Sequence, residues 1–144
     1  MNSAAATGFP DLDISPLGRA LGQLEVAIKA SDEDPANALI RDAVIQRFEF
    51  TYELSIRILR RYLHSIAASD DEINELIFKD LIRRASDLKL LHGGVLEWLD
   101  FRQARTDTVH TYNELRAAEV AGAAKDFARE ARALFENLAR RVKQ

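Results

Sequence analysis

With 144 residues, the chain is long enough for one compact domain with its own core, and its lack of cysteine excludes a disulfide framework and a thiolate metal site. The formal net charge of −3 argues against broad coating by nucleic acid but leaves room for a local basic site. No apolar run could span a bilayer, and the N-terminus lacks the pattern of a signal peptide, so we expect a cytoplasmic protein.

The first predicted helix follows a short N-terminal tail. Residues 1–13 are mostly small and polar and are predicted to be disordered, which leaves residues 14–144 as a single helical domain. Ser15 followed by Pro16 is typical of a helix start with serine as the N-cap. The helix is expected to end near Ala30. Its apolar face is formed by Leu17, Leu21, Leu24 and Ile28.

The second predicted helix is the longest and covers residues 36–67, after a cap-and-proline start at Asp34 and Pro35. It carries two apolar stripes on nearly opposite sides. One stripe consists of Ala43, Phe50, Leu54 and Ile58. The other consists of Ile45, Phe48, Tyr52, Ile56, Leu59 and Leu63. A bundle needs one buried stripe, so a second stripe favours, by a small margin, contact with another subunit. The alternative is a helix that is central within one monomer.

Three further helices are predicted from turns and caps. A capping-box pattern at residues 69–72 starts the third helix, which a break at residues 78–80 would divide into two. A turn at residues 92–94 precedes the fourth helix, which should end between Arg105 and Thr108.

The last predicted helix follows a second capping-box pattern at residues 111–114 and runs to about Arg141. Its apolar residues are Leu115, Ala118, Phe127, Ala131, Leu134 and Leu138. With only six glycines and three prolines in the chain, the pattern predicts an all-α, up-and-down bundle of four or five helices.

The stretch from Arg105 to Glu114 carries the groups that phosphate chemistry uses without a metal. Arg105 offers a planar fork of donors to phosphate oxygens. His110 can exchange a proton near neutral pH, and Tyr112 offers a hydroxyl that could be a nucleophile or a modification site. In an unbroken helix Arg105 and His110 would lie about 140° apart around the axis, so a kink between them would be needed to turn both toward one site.

A purely structural interpretation of this stretch is also open. Arg105 would then pair with a carboxylate at a helix end, and His110 would satisfy a backbone carbonyl. His64 and His92 lie far from His110 in the sequence, without the spacing of a metal site, and the acidic residues 70–72 suit a helix N-terminus. Neither a metal nor a cofactor is therefore predicted.

Two segments resemble the nucleotidyltransferase substrate-binding protein family, within the HEPN superfamily of helical bundles. Residues 46–54, with the sequence QRFEFTYEL, are similar to the first signature of this family, together with Arg60, Tyr62 and Leu63. Trp98, Arg105 and residues 110–114, with the sequence HTYNE, are similar to the second. The resemblance spans residues 17–138.

This resemblance implies a homodimer in which arginine–histidine motifs of the form R-x4-6-H meet at the interface. It also implies a partner, a small nucleotidyltransferase encoded nearby, as in two-gene toxin–antitoxin modules. Arg105 and His110 would be the catalytic pair of a metal-independent ribonuclease, and Tyr112 would receive AMP from the partner. Supporting residues are expected at Thr106, Asp107, Asn113 and Glu114.

Three functions therefore remain open. The first is a binding subunit that presents RNA, a nucleotide or another substrate to the transferase, as the toxin half of a module. The second is an active ribonuclease that the same partner silences. The third is a structural helical dimer without a catalytic site. The first two share Arg105, His110 and Tyr112, so the sequence does not separate them.

Overall fold

The computed structural model describes residues 10–67 and 76–143. These residues form an up-and-down bundle of α-helices with no strand in the described ranges, which confirms the predicted all-α class. A single 3₁₀ turn, Thr108–His110, joins the last two helices. The helices are α1 (Ser15–Glu33), α2 (Ala38–Ile66), α3 (Phe78–Asp87), α4 (Val95–Asp107) and α5 (Glu114–Ala139). None of the helices in these ranges is both long and apolar enough to cross a membrane.

The core is centred on Phe127 of α5, which is fully buried. Four aromatic rings from α2 and α4 surround it, with centroid distances between 5.3 and 5.8 Å. Three of these contacts are edge-to-face, the arrangement that the quadrupoles of aromatic rings favour. The surrounding rings belong to Phe48, Tyr52, Trp98 and Phe101. They join α2, α4 and α5 into one rigid unit that carries the residues of the second signature.

Helix α2 is central within the monomer, packed against α1 on one side and α5 on the other. Both predicted stripes are therefore mostly covered by the chain itself, including Leu54 and Ile58 of the first stripe. Only Phe50 of that stripe is a large exposed side chain. The burial of both stripes agrees with the alternative of a helix that is central within one monomer, so the stripes do not supply a surface for a second subunit.

Two predicted helix starts are displaced from the residues that the sequence suggested. Helix α1 begins at Ser15, whose backbone N–H donates to the Asp13 carboxylate at 2.9 Å. Helix α2 is capped by Asn37, whose side-chain oxygen accepts from the Ile40 N–H at 3.2 Å, and not by Asp34. In both regions several short polar side chains compete for the cap, and the helix axis decides which one is aligned with a free N–H.

The ends of the described chain contact each other. The Pro10 carbonyl accepts a hydrogen bond from the Lys143 N–H at 2.9 Å, and Leu12 packs partly against the core. Residues 10–13, which were included in the predicted tail, thus lie against the bundle, while residues 1–9 lie outside the described ranges.

The described part of the third helix begins later than the predicted start, whereas the glycine turn lies where it was predicted. Helix α3 begins at Phe78 with Ile77 as its N-cap residue, so the helix is continuous through residues 78–80. The predicted start at residues 69–72 lies outside the described ranges. At the turn, Glu130 of α5 accepts hydrogen bonds from the backbone N–H groups of His92 and Gly93 and from the Trp98 indole. One carboxylate therefore fixes the start of α4 to α5.

The buried face of α5 differs from the prediction over its first two turns. Leu115 and Ala118 are exposed, and Ala117, Val120 and Ala124 are buried in their place. The buried residues continue in helical phase into Phe127, whereas a residue nine positions earlier lies about 180° away around the axis. The predicted face had joined two segments that are out of phase.

Candidate functional site

Arg105 lies near the end of α4 and turns its guanidinium toward two glutamates of α2. Its Nε donates to Glu53 Oε1 at 2.9 Å, and Nη2 bonds the same oxygen. Its Nη1 lies 3.7 Å from Glu49 Oε2. Glu49 and Glu53 are one helical turn apart, so both carboxylates project from the same face of α2. The ion-pair part of the structural interpretation therefore holds for Arg105.

This ion pair also affects the charge of Arg105. The hydrogen bond that Arg105 donates to Glu53 raises the pKa of its guanidinium, with a smaller contribution from the nearby Glu49 carboxylate, while partial burial acts in the opposite direction. Arg105 is therefore a permanent cation at any physiological pH. A phosphate that reached it would have to compete with the Glu53 carboxylate for the same donors.

The 3₁₀ turn follows the helix that carries Arg105 and ends at His110. The Thr108 hydroxyl lies 2.5 Å from Glu49 Oε2 and 2.8 Å from the Arg105 carbonyl oxygen, which fixes the start of the turn. Among the described residues, the side chain of Arg105 bonds Glu53 and lies near Glu49, and no hydrogen bond joins it to His110. The His110 ring instead contacts Tyr112 edge-to-face, with centroids 6.2 Å apart.

Tyr112 lies on the short segment between the 3₁₀ turn and α5 and is 86% exposed. Its ring is not packed into the bundle; it borders an open cleft of about 400 Å³ together with Asp42, Glu49 and Thr108. The phenol hydroxyl is thus available to an external reagent and lies next to the His110 imidazole.

The four predicted supporting residues have structural contacts. The Thr106 hydroxyl donates to the Arg102 carbonyl at 3.1 Å, and Asp107 accepts from Arg116 at 3.4 Å. Asn113 is the N-cap of α5, because its side chain accepts from the Arg116 N–H at 3.1 Å, and Glu114 is the first residue of that helix. The predicted cap, Thr111, bonds the Thr108 carbonyl instead. These contacts position the turn that carries His110 and Tyr112.

A larger cleft of about 660 Å³ is lined in part by Arg105 and Glu53 themselves. Its polar lining is dominated by four arginines, of which Arg57 and Arg102 were not singled out from the sequence. Their spacing was a usable signal, since residues three or four apart on a helix share a face. The lining includes Glu53, Arg57 and Arg60 of α2, Phe78 of α3, and Arg102 and Arg105 of α4.

The histidines and carboxylates do not converge on a metal. Within residues 10–67 and 76–143, no group of three or more His, Cys, Asp or Glu side chains is arranged to hold a metal ion.

Comparison with known proteins agrees with the resemblance of the two signatures. Residues 12–140 match the family described as "Nucleotidyltransferase substrate binding protein like". The chain is 33% identical over 138 residues to a protein of Haemophilus influenzae (strain ATCC 51907 / DSM 11121 / KW20 / Rd) named "Probable ribonuclease HepT", covering 90% of this chain and 94% of the relative. The fold is similar to the solved structure of HI0074 from Haemophilus influenzae, with a TM-score of 0.81 and 30% identity, covering 88% of this chain and 99% of the other. That structure is described as revealing the fold of a substrate binding domain of a nucleotidyltransferase.

Proposed function

The chain belongs to the nucleotidyltransferase substrate binding protein like family, and from this premise we propose that it is the binding subunit of a separately encoded small nucleotidyltransferase, as the toxin half of a toxin–antitoxin module. The observation that supports this proposal most directly is the exposure of Tyr112 beside His110. A buried phenol could not enter another enzyme's active site, whereas this one projects from a short turn that is held at both ends.

In the proposed reaction, the partner transfers AMP from ATP to Tyr112. The phenol oxygen attacks the α-phosphorus of ATP, the bond to the β-phosphate oxygen breaks, and pyrophosphate leaves while the phenolic proton passes to a base. His110 lies against the Tyr112 ring and is the nearest imidazole to that proton. The product is an adenylyl group on a phosphodiester that carries one negative charge.

The added phosphate would change the electrostatics of Arg105. Tyr112 and Glu49 border the same cleft, and Glu49 lies 3.7 Å from the Arg105 guanidinium. A phosphodiester placed there would compete with Glu49 for the arginine and repel other phosphates. Modification would therefore block an RNA substrate both by charge and by the bulk of the adenine.

Co-expression with the neighbouring transferase, followed by intact mass spectrometry, tests this proposal. We expect a mass increase of one adenylyl group in the wild type and none in Tyr112→Phe. Tyr62→Phe is the matched control, because it removes the same hydroxyl from a buried tyrosine and should still be modified. A wild-type chain that stays unmodified while its toxicity is lost would show that the partner neutralises it by binding alone.

A second function, metal-independent RNA cleavage, is favoured by the name of the relative, "Probable ribonuclease HepT". His110 would take the proton of a ribose 2′-hydroxyl, whose oxygen attacks the phosphorus while the 5′-oxygen leaves. Arg105 would stabilise the charge on the phosphate oxygens after exchanging Glu53 for the substrate. Because Arg105 bonds Glu53 while the ring contact of His110 is with Tyr112, this chemistry would combine Arg105 of one subunit with His110 of another.

Cleavage of a labelled RNA in EDTA tests the ribonuclease function. Activity should persist in EDTA and be lost in Arg105→Ala and in His110→Ala. His92→Ala, which changes an exposed histidine elsewhere, should remain active. Activity that survives both motif substitutions in folded protein would reject the assignment. If the wild type is inactive but is still modified at Tyr112, only the binding-subunit function would remain. A chain that neither cleaves, binds nor is modified would be the structural dimer.

A further inference from the structure

The 660 Å³ cleft beside Arg105 is formed by three helices. Glu53, Arg57 and Arg60 follow one face of α2 at spacings of four and three residues, and Arg102 and Arg105 follow one face of α4 at a spacing of three. The two arginine rows therefore face each other across the cleft. Its volume falls within the range of clefts that hold small ligands, roughly 300–1,000 Å³.

The cleft concentrates positive charge that the carboxylates of the described residues neutralise only in part. It is lined by four guanidinium groups and one carboxylate, and that carboxylate, Glu53, is used by Arg105. Arg60 donates to the Leu76 carbonyl. Across the described ranges, Arg57 and Arg102 form no ion pair with a carboxylate. In a chain of formal charge −3, such a concentration of cations favours an external anion.

One wall of the cleft also offers a flat surface. The Arg102 guanidinium lies over the Phe78 ring, 4.9 Å from its centroid. Stacking on the ring fixes the plane of the guanidinium without using its N–H donors. Nucleobases stack on guanidinium planes and on aromatic rings in protein complexes with single-stranded nucleic acids. A planar base and an anionic phosphate can therefore be accepted side by side.

We propose that this cleft binds a nucleotide, with the forks of Arg57 and Arg60 on its phosphate and the Arg102–Phe78 stack against its base. The nucleotide can belong to a single-stranded RNA or be a free nucleoside triphosphate; both present the same phosphate and base chemistry. The inference rests on the proposed function in that it names the ligand of a binding subunit and the residues that hold it, but its binding needs neither the transferase nor modification of Tyr112.

Direct binding to the isolated full chain tests the inference. The probes are a fluorescent, uncleavable 2′-O-methyl octaribonucleotide, followed by anisotropy in EDTA, and ATP, followed by calorimetry. Arg57→Gln, and Arg57→Gln combined with Arg60→Gln, are compared with the wild type. Arg19→Gln is the matched control, because it removes an equal charge from an exposed position on α1, which borders neither α3 nor α4 closely.

The paired substitution should weaken binding of the octaribonucleotide by about tenfold or more and reduce the dependence of log K on log salt by roughly 1.4, at about 0.7 per lost phosphate contact. Arg57→Gln alone should give about half that change in slope. This single variant tests the inference even if the paired substitution, by removing the Arg60 bond to Leu76, destabilises the fold. Thermal unfolding verifies that each variant is folded. Arg19→Gln should bind like the wild type.

The two probes distinguish the sources of the nucleotide. Binding of the octaribonucleotide alone would identify an RNA subsite, and binding of ATP with the same sensitivity to Arg57 would identify a free nucleotide site; either result supports the inference. Failure of the wild type to bind either probe would overturn it. Binding that Arg57→Gln and the paired substitution leave unchanged, or that Arg19→Gln weakens equally, would overturn it as well. None of these measurements depends on whether Tyr112 accepts AMP.

Discussion

Tyr52 is a buried phenol between the core and the basic cleft. Its ring packs against Phe48 and Phe127. Burial raises the pKa of Tyr52 to about 12, from 10.0 in a model compound, although the charges of Arg102 and Arg105 act to lower it. The raised pKa means that the folded chain holds the phenolic proton more tightly than the unfolded chain does. Tyr52 therefore contributes stability that is complete below about pH 10 and is lost as the pH rises toward 12.

Tyr52→Phe should remove this part of the pH dependence. Between about pH 8 and pH 11, the wild type should lose about 1.4 kcal/mol more unfolding free energy than Tyr52→Phe, because the unfolded tyrosine ionises first. Denaturant unfolding at the two pH values measures the difference. Tyr112→Phe, at an exposed position, is the control and should follow the wild type. Parallel curves for the wild type and Tyr52→Phe would contradict the effect of burial.

Glu53 should oppose nucleotide binding, because it holds the donors of Arg105. In Glu53→Gln the side chain keeps its shape but loses its charge, so the net charge of the cleft rises by one and Arg105 becomes more available to phosphate. We expect binding of the octaribonucleotide several-fold tighter than in the wild type, opposite in sign to Arg57→Gln. Glu33→Gln, an equal change at an exposed position of α1, should have little effect. Weaker or unchanged binding by Glu53→Gln would contradict this role.

The contacts of Arg105 show where a local motif stops being informative. The residue types at 105, 110 and 112 suggested phosphate chemistry, and the resemblance supplied the expected roles. The partner of Arg105, however, lies 52 residues earlier in the chain, and no local spacing reveals it. The basic cleft was not predicted for the same reason. Its arginines come from two helices, and only the packing of these helices shows that their charges lie side by side.

At the scale of the helices, Asn113 is the residue that starts α5 and so supports the turn that carries Tyr112. Asn113→Ala should cost about 1 kcal/mol of unfolding free energy, because one N–H of the first turn loses its acceptor. Thr111→Ala, at the position first predicted as the cap, should cost less, since its hydroxyl bonds only the Thr108 carbonyl. Denaturant unfolding of the two variants distinguishes them. An equal or larger loss for Thr111→Ala would contradict the assignment of Asn113.

Helix existence was predictable from periodicity and composition, but helix phase and caps were not. Leu17, Leu21 and Leu24 repeat in a single phase and were placed correctly in the core. In α5, Leu115 was assigned to the apolar face, but it is exposed and out of phase with the buried residues of the helix. The real face uses Ala117, whose small side chain lets α5 approach its neighbours closely. Hydrophobicity alone does not identify a buried face where helices pack through alanine.

At the scale of the molecule, a composition with few glycines and prolines predicted the all-α class, and the two signatures predicted the family. The path of the chain could not be obtained in the same way. Two apolar stripes on α2 are compatible with a central helix or with a dimer, and only the folded structure shows that Leu54 and Ile58 are buried within one chain. A dimer would therefore have to form through other residues.

Those residues are exposed apolar side chains on either side of the Tyr112 turn. Val109 is 68% exposed and Leu115 is 71% exposed. With Tyr112 they are three exposed apolar side chains within seven residues of the chain, on both sides of His110 in the sequence, and burial of exposed apolar side chains favours self-association. A second chain seated there would bring the His110 residues of the two chains near each other.

We therefore predict a homodimer that is closed through this surface. Light scattering at micromolar concentration should give twice the chain mass of 16.2 kDa for the wild type. Val109→Glu should give the monomer mass, because it places a charge in the middle of the interface and costs more than the contact gains. Leu96→Glu is the matched control. Leu96 is also apolar and is 76% exposed, but it lies at the start of α4, whereas Val109 follows the end of that helix. A monomeric wild type would remove the basis for a two-chain site, and a dimer that survives Val109→Glu would place the interface on another face.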